Sequence, residues 1–387
     1  MSNREQRCLC VGPPIVAVLL ALAAAAPGAS AQQRPCSDTT AAIYDRVSPG
    51  VVFIEGTSIN PYRVTDRVQH IVGSGFIINA DGAVLTNSHV ALGRQALSVT
   101  LNDGTTVPAR LVAADAIFDI AILQIPKPSK GTLPTLALGD SDSLRVGEDV
   151  LAIGNPLGLS QTLTHGIVSA VNRVLPVTFF SQMEPMIQID APINHGNSGG
   201  PLINRCGDVI GMTTAVVAGS QGIGLAIPVN LIKQVLPAFA KDRRLIRPWL
   251  GFHGQFVDDD LRGLLNIPLK TGFMIEVVEP GSPAEDAPLQ GGNMEMTIAG
   301  HDFLFGGDIV VRMNDKALDT PDDVIAVLAT LKVGSAVTMT VFRDGKSVDV
   351  KYVLPERPLL PGDIAATEGE AWPMSAKKPP AVRNLRF

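Results

Sequence analysis

The sequence predicts a mainly β protein in two folded units, and three observations predict it. From Val51 to about Pro228, short β-branched and apolar segments alternate with turn pairs such as Asp81-Gly82, Asp103-Gly104 and Gly207-Asp208, the pattern of many short strands joined by tight turns. Composition agrees: 37 glycines and 29 prolines against 5% aromatic side chains favour turns and short strands over long helices. The charged run Lys241-Asp242-Arg243-Arg244 then marks a shift in composition and reads as a linker to a second unit. A chain of 387 residues is long enough for two or three domains.

The first residues predict export. Arg4 and Arg7 precede an apolar stretch, Ile15 to Ala26, and the small residues Ala29-Ser30-Ala31 follow it, as in a secretory signal cleaved after Ala31. The stretch is short of the roughly 20 residues of a membrane span, so an uncleaved anchor is the second reading. Residues 1–31 are therefore a predicted signal peptide, and the mature chain is expected in the periplasm or another exported location. Of the cysteines, Cys8 and Cys10 fall in the signal; Cys36 and Cys206 remain, and whether they pair is left open. The formal charge is -6 with no basic block, which argues against a nucleic-acid partner. Six scattered histidines and no Cys-x-x-Cys pair in the mature chain predict no metal site and no cofactor.

The chemistry is concentrated in three stretches. In Gly196-Asn197-Ser198-Gly199-Gly200-Pro201, glycines let the backbone turn tightly enough for the Gly196 and Ser198 amides to converge where a carbonyl oxygen becomes an oxyanion. A serine hydroxyl alone is a poor nucleophile and needs a base and an orienting carboxylate. The strand-like Ala83-Val84-Leu85-Thr86-Asn87-Ser88-His89-Val90 supplies a histidine. Phe118-Asp119-Ile120-Ala121-Ile122-Leu123-Gln124-Ile125 supplies an aspartate at the mouth of an apolar strand. Asp115, four residues earlier, is the rival carboxylate.

These stretches, with Gly73-Ser74-Gly75-Phe76, Gly154-Asn155-Pro156-Leu157-Gly158 and Gly222-Ile223-Gly224-Leu225-Ala226-Ile227-Pro228, resemble the HtrA/DegP family of trypsin-like serine proteases. The resemblance implies a chymotrypsin-like double six-stranded β-barrel over residues 32–240, with the active site between the barrels. It makes Ser198 the nucleophile, His89 the general base and Asp119 its orienting partner. Gly196, Asn197 and Ser198 would form the oxyanion hole, and Leu225, Ala226 and Ile227 an apolar specificity pocket suited to small aliphatic residues. Asn197 stands where zymogen-activated relatives carry an aspartate, and a neutral amide cannot pair with a newly cut amino terminus. Ile71-Val72-Gly73 looks like such a terminus but lies too close to His89, so it reads as a strand entry. Control is then expected from loop ordering, with Arg173 to Met186 and Val216 to Gly222 as candidates. His195 departs from the family's usual proline, and the short insertion between Thr57 and Gln69 speaks against large loop-swapped hexamers.

Beyond the helix-like Val229 to Ala240 and a linker at 241–248, residues 249–354 resemble an HtrA-type PDZ domain, an α+β unit. The supporting pieces are Pro248-Trp249-Leu250-Gly251-Phe252, Pro280-Gly281-Ser282-Pro283-Ala284, Gly306-Gly307-Asp308-Ile309-Val310 and a helix begun by Thr320 and Pro321. Val324, Val327, Leu328 and Leu331 give that helix one apolar face, and Arg343-Asp344-Gly345-Lys346 reads as a hairpin turn. By resemblance, Trp249, Leu250, Gly251 and Phe252 would bind a peptide carboxylate while the peptide adds to a sheet edge. Ala287-Pro288-Leu289 and the long connection Gly291 to Phe305 depart from the family pattern. Residues 355–387 read as a flexible tail rich in proline and alanine, whose apolar end Leu385-Arg386-Phe387 could occupy a PDZ groove. The family further implies a homotrimer packed through the segment around Ile43 and Tyr44.

The expected function is an exported, ATP-independent serine endopeptidase acting on unfolded or damaged proteins through an acyl-enzyme, with peptide termini bound by the PDZ domain. The alternative is a chaperone or scaffold with little proteolysis.

Overall fold

The computed structural model describes residues 36, 38–59, 67–155, 161–173, 186–194, 196–216, 222–257, 262–263, 271–298 and 301–359. The expected signal peptide, the end of the tail, His195 and most of the two candidate regulatory loops lie outside the described residues.

Two closed antiparallel barrels follow one another. The first is built from β1 (Val51–Ile59), β2 (Val68–Ile77), β3 (Ala83–Thr86), β4 (Ala96–Thr100), β5 (Thr106–Asp115) and β6 (Ile120–Gln124), in the order β1-β2-β3-β6-β5-β4. The second takes β7 (Asp149–Gly154), β8 (Thr162–Arg173), β9 (Met186–Ile189), β10 (Pro201–Ile203), β11 (Val209–Val216) and β12 (Gly224–Pro228), in the order β10-β11-β12-β9-β8-β7. Closure satisfies every edge, so short strands suffice. Ile71-Val72-Gly73 lies within β2, paired with Ile54, Glu55 and Gly56 of β1.

Each barrel has its own core, around Ile54, Ile77, Val84 and Leu123 in the first and Val150, Ile187, Ile189 and Leu202 in the second. A third cluster joins them, bringing Phe76, Leu85 and Ile120 against Leu151, Ile153, Met212 and Ile227. Ile232, Val235 and Phe239 of the helix Val229–Asp242 complete it. Because apolar burial is non-directional but close-packed, this shared cluster sets the angle between the barrels, and hence whatever the two sides of the seam can bring together.

The helix Thr40–Val47 is capped by the Thr39 hydroxyl, which accepts from the Ala42 amide at 3.2 Å. Ile43 and Val47, four apart, share one face, and both are buried in the inter-barrel cluster. Ile43 therefore does not offer the inter-subunit contact expected of it, since its own barrels cover it completely; Tyr44 is only partly buried. Arg46 on the same helix pairs with Asp38 and donates to the Cys206 carbonyl at 2.8 Å. Cys36 and Cys206 are each disulfide-bonded.

The second unit is a sheet of β13 (Phe252–Phe256), β14 (Phe273–Val278), β17 (Ile309–Met313), β19 (Ala336–Arg343) and β20 (Lys346–Val353) in that spatial order, with β18 (Lys316–Ala317) beside β17. Thr320 caps the helix Pro321–Leu328 in a reciprocal capping box with Asp323, and the helix buries Val324 and Val327 against Phe252, Ile275 and Val341. Asp344 and Gly345 both have positive φ, 47° and 78°, as a two-residue hairpin turn requires. The long connection is not irregular: β15 (Met294–Ile298) and β16 (His301–Phe305) pair as a hairpin. Its Phe305, Phe303 and Met296 pack on Met274 and Ile309, covering the sheet face opposite the helix.

The link between the units is pinned. Arg247 grips the buried Asp115 through both guanidinium nitrogens and lies 4.3 Å over the Phe118 ring, the planar stacking and bidentate geometry that lysine cannot reproduce.

Truncating Ile43 to alanine removes a fully buried side chain and is expected to destabilise the folded chain by about 2–5 kcal/mol. Urea unfolding checks this: the midpoint should fall with the slope unchanged.

Candidate active site

His89 follows β3, on the short helical turn Ser88–Ala91, with its side chain 50% exposed at the seam between the barrels. Asp119 faces it from the tight turn between β5 and β6. That turn demands φ of 55° at Asp119, an unfavourable value for a side-chain-bearing residue, and the Asn87 amide secures it by donating to the Asp119 carbonyl at 3.0 Å.

The Asp119 carboxylate is a meeting point. His89 Nδ1 lies 3.0 and 2.9 Å from its two oxygens. Oδ1 also accepts from the Ser88 hydroxyl at 2.9 Å and the His89 amide at 3.0 Å, and Oδ2 accepts from the Thr214 hydroxyl at 2.6 Å. Because an ionised carboxylate can only accept, the ring proton resides on Nδ1 and Nε2 is left with its lone pair. Burial pushes the Asp119 carboxyl upward, but the hydrogen bonds and charge of His89, the Thr214 hydroxyl and the His89 amide outweigh it and hold the group below the ordinary carboxylate value. The rival Asp115 is engaged elsewhere, accepting from the Phe118 amide at 2.7 Å and from Arg247.

Ser198 approaches from the second barrel. Its hydroxyl donates to the Thr214 carbonyl at 2.9 Å, and among the described residues no hydrogen bond joins it to His89. Thr214 thus touches both partners, Asp119 through its hydroxyl and Ser198 through its carbonyl. The Asn197 amide is spent on the Asn194 carbonyl at 3.0 Å, whereas the amides of Gly196 and Ser198 donate no hydrogen bond among the described residues. Gly199, at φ 83°, presses on the first barrel: a Cβ there would lie 2.2 Å from the Ser74 carbonyl oxygen, so only glycine fits.

Leu225, Ala226 and Ile227 lie on β12 and all are buried. Strand alternation turns Ala226 to the face opposite the other two; Ala226 enters the core of the second barrel and Ile227 the inter-barrel cluster. Asp190, just past β9, accepts from the Ile167 amide at 2.6 Å.

In the second unit, Trp249, Leu250 and Gly251 form the loop before β13, and Phe252 opens that strand inside the core. Tyr352 donates to the Leu250 carbonyl at 2.8 Å, and the Ser282 hydroxyl and Glu279 amide both donate to Gly251 O. Burial pushes the Tyr352 phenol well up. Glu279 also bonds the Trp249 indole and the His253 ring. The loop carbonyls are thus tied inward, while the amides of Leu250 and Gly251 donate nothing among the described residues. Gly251 has φ 81° and no room for a Cβ, which would meet Ser282 at 2.4 Å. β13 is an edge strand of its sheet, and its Phe252 shares a core cluster with Val324 and Val327 of the helix Pro321–Leu328.

Three polar residues of the site escaped the sequence reading: Ser74, Ser88 and Thr214. Only Ser74, set between two glycines, carries a visible signal, a hydroxyl that must find a partner if buried; Ser88, between Asn87 and His89, and Thr214, beside Thr213, carry none.

Because Asp119 is ionised below its unfolded range, its hydrogen bonds contribute stability that is complete above the unfolded value, about pH 4, and is lost as pH falls through the lower folded value. The stability advantage of the wild type over Asp119→Asn should therefore shrink steadily on acidification below about pH 5, as read by urea unfolding across pH.

Residues 73–212 match the trypsin-like peptidase domain family and residues 250–354 the PDZ domain family. The chain is 36% identical over 352 residues to the periplasmic pH-dependent serine endoprotease DegQ of Escherichia coli, covering 86% of this chain and 73% of that protein. It is 39% identical over 287 residues to a probable periplasmic serine protease do/HhoA-like of Haemophilus influenzae, covering 73% of this chain and 58% of the relative. The DegP-like relatives it matches are likewise longer, the one from Rhizobium meliloti being covered over 58% of its length. Among solved structures, the HtrA-type protease AlgW with decapeptide superposes with a TM-score of 0.64 at 29% identity, over 84% of this chain and all of that one. The serine endoprotease from Yersinia pestis gives 0.61 at 28%, over 83% and 99%. With its two six-stranded barrels followed by a single PDZ domain, the chain belongs to the HtrA/DegP family of trypsin-like serine proteases.

Proposed function

We propose that this chain is an exported, ATP-independent serine endopeptidase in which Ser198 is the nucleophile, His89 the general base and Asp119 the orienting carboxylate. The observation that carries the reading is the clamp on His89: both Asp119 oxygens lie within 3.0 Å of Nδ1, which presents a basic Nε2 to the seam where Ser198 lies. Rotation about its Cα–Cβ bond would take the Ser198 hydroxyl from the Thr214 carbonyl to that nitrogen. His89 then accepts the proton as Ser198 Oγ attacks the scissile carbonyl, and Asp119 stabilises the imidazolium. The uncommitted amides of Gly196 and Ser198 stabilise the oxyanion; Asn197, its own amide already engaged, sets the turn between them. Collapse releases the amine, protonated by His89, and water activated through the same base hydrolyses the acyl-enzyme.

Of Leu225, Ala226 and Ile227, the last two are core residues, which leaves Leu225 as the one proposed to favour small aliphatic residues. The protease unit is taken as 32–240, the linker as 241–248 and the PDZ unit as 249–354. In the latter, the inward-tied carbonyls of the Trp249–Phe252 loop leave amides to receive a peptide carboxylate, while β13 accepts the peptide as an added strand. Periplasmic relatives support export; cleavage near Ala31 is proposed from the amino-terminal pattern, and unfolded or damaged proteins are the proposed substrates. A homotrimer is retained from family likeness, with Tyr44 rather than Ile43 able to reach a neighbour.

The test is labelling with a serine-directed fluorophosphonate, alone and with a peptide ending in an apolar carboxylate. Wild type should label and Ser198→Ala should not; wild type that never labels would contradict the reading. Asp119→Asn should lower kcat by about 10⁴-fold, measured with a fluorogenic peptide. Gly251→Ala should weaken binding of the apolar-ended peptide at least tenfold, read by fluorescence anisotropy, without altering fluorophosphonate labelling in the absence of peptide.

A further inference from the structure

The stretch Gly73-Ser74-Gly75-Phe76 takes no part in the mechanism above, yet Ser74 is completely buried at the seam, with its hydroxyl and its amide engaged across the seam and its carbonyl engaged within its own barrel. Its hydroxyl donates to the Gly196 carbonyl at 2.5 Å and accepts from the Asn155 amide at 2.9 Å. Its backbone amide donates to the Ser198 carbonyl at 2.8 Å. Its carbonyl accepts from the Thr86 hydroxyl at 2.8 Å, three residues before His89.

One residue therefore holds the carbonyls of both Gly196 and Ser198, the residues whose amides are left uncommitted. A carbonyl is coplanar with the next amide. Fixing Gly196 O turns the Gly196–Asn197 peptide plane and sets ψ of Gly196. Fixing Ser198 O does the same on the far side of the nucleophile. Glycine at 196, at φ 100°, has no Cβ to restrain it, so the restraint has to come from outside the loop. The hydroxyl is also a relay, since the atom that donates to Gly196 accepts from Asn155, at the entry to the Gly154-Asn155-Pro156-Leu157-Gly158 segment.

We propose that Ser74 is a positioning residue for the oxyanion hole, fixing from the opposite barrel the Gly196–Asn197 and Ser198–Gly199 peptide planes that flank the Ser198 amide and coupling them to Asn155. The inference rests on Ser198 being the nucleophile. A filler would need only its volume, whereas Ser74 uses a donor and an acceptor on one oxygen to join two loops that do not otherwise bond to each other among the described hydrogen bonds.

The test uses a peptidyl trifluoromethyl ketone ending in valine and the matching trifluoromethyl alcohol, on the full chain. With the ketone, Ser198 Oγ bonds to the carbonyl carbon, its proton passes to His89, and the carbonyl π electrons move to oxygen, leaving a hemiketal oxyanion in the hole. The alcohol fills the same subsites without that charge. Ser74→Ala should lower kcat roughly tenfold to a hundredfold with KM little changed, and should weaken the ketone by a similar factor while leaving alcohol affinity within twofold. Ser74→Cys, which keeps the volume and a weak donor, should fall between, and carries the test if the alanine variant does not fold. Ketone affinity and kcat within twofold of wild type, or ketone and alcohol weakened together, would overturn the role of Ser74 while leaving the nucleophile intact. A wild-type chain that forms no hemiketal, or a Ser198→Ala chain that does, would overturn the inference together with the reading on which it rests.

Discussion

The bond from the Thr214 hydroxyl to Asp119 Oδ2, at 2.6 Å, crosses the seam between two barrels that fold around largely separate cores. Asp119 and His89 belong to the first barrel; Thr214 and Ser198 belong to the second. A carboxylate at this depth would favour its neutral form if left alone, and four donors from two segments, Ser88-His89 and Thr214, keep it charged. The same bond sets the strand that offers its next polar group, the Thr214 carbonyl, to the Ser198 hydroxyl. Electrostatics and alignment are thus one arrangement: the site exists only while the barrels hold their mutual angle, which the shared cluster of Phe76, Ile120, Ile153, Met212 and Ile227 maintains.

Ser74 works across the same seam in the other direction. Where Thr214 reaches from the second barrel to orient the base, Ser74 reaches from the first to hold the loop around the nucleophile. Reciprocal hydroxyls of this kind are costly to bury unless fully paired, and both are paired. One oxygen atom, Ser74 Oγ, links Asn155 to Gly196. On the outer side, Arg247 ties the inter-domain link to Asp115 and Phe118, on the same turn that ends in the strained Asp119.

The parts of the site that were legible in the sequence are those encoded by local chemistry. Glycines around Ser198, a strand leading towards His89 and an apolar strand after Asp119 are contiguous patterns, each explicable from its neighbours, although the strand stops at Thr86 and His89 sits on the helical turn that follows. The choice between Asp115 and Asp119 was arguable only from the strand that follows, because what separates them is Arg247, more than a hundred residues away. Thr214 and Ser74 were hidden for the same reason: nothing local distinguishes a buried threonine with a catalytic neighbour from one paired within its own sheet. The subunit contact around Ile43 and Tyr44 rests on family likeness alone, and the burial of Ile43 depends on a core formed by residues far along the chain. The segment Gly291 to Phe305 reads as a connection because its glycines and polar residues mask a hairpin in which Phe305 is buried and Met296 and Phe303 are partly buried against Met274 and Ile309.

The central claim is that Thr214 and Asp119 act on His89 as one unit across the seam, and a double-mutant cycle on kcat/KM tests it most directly. Wild type, Thr214→Val, Asp119→Asn and the double variant would be assayed with one fluorogenic peptide. Removing the Thr214 hydroxyl should slow the wild type but make no further difference once the carboxylate is gone, since its effect runs through that charge. Fully multiplicative losses would show two independent contributions and contradict it.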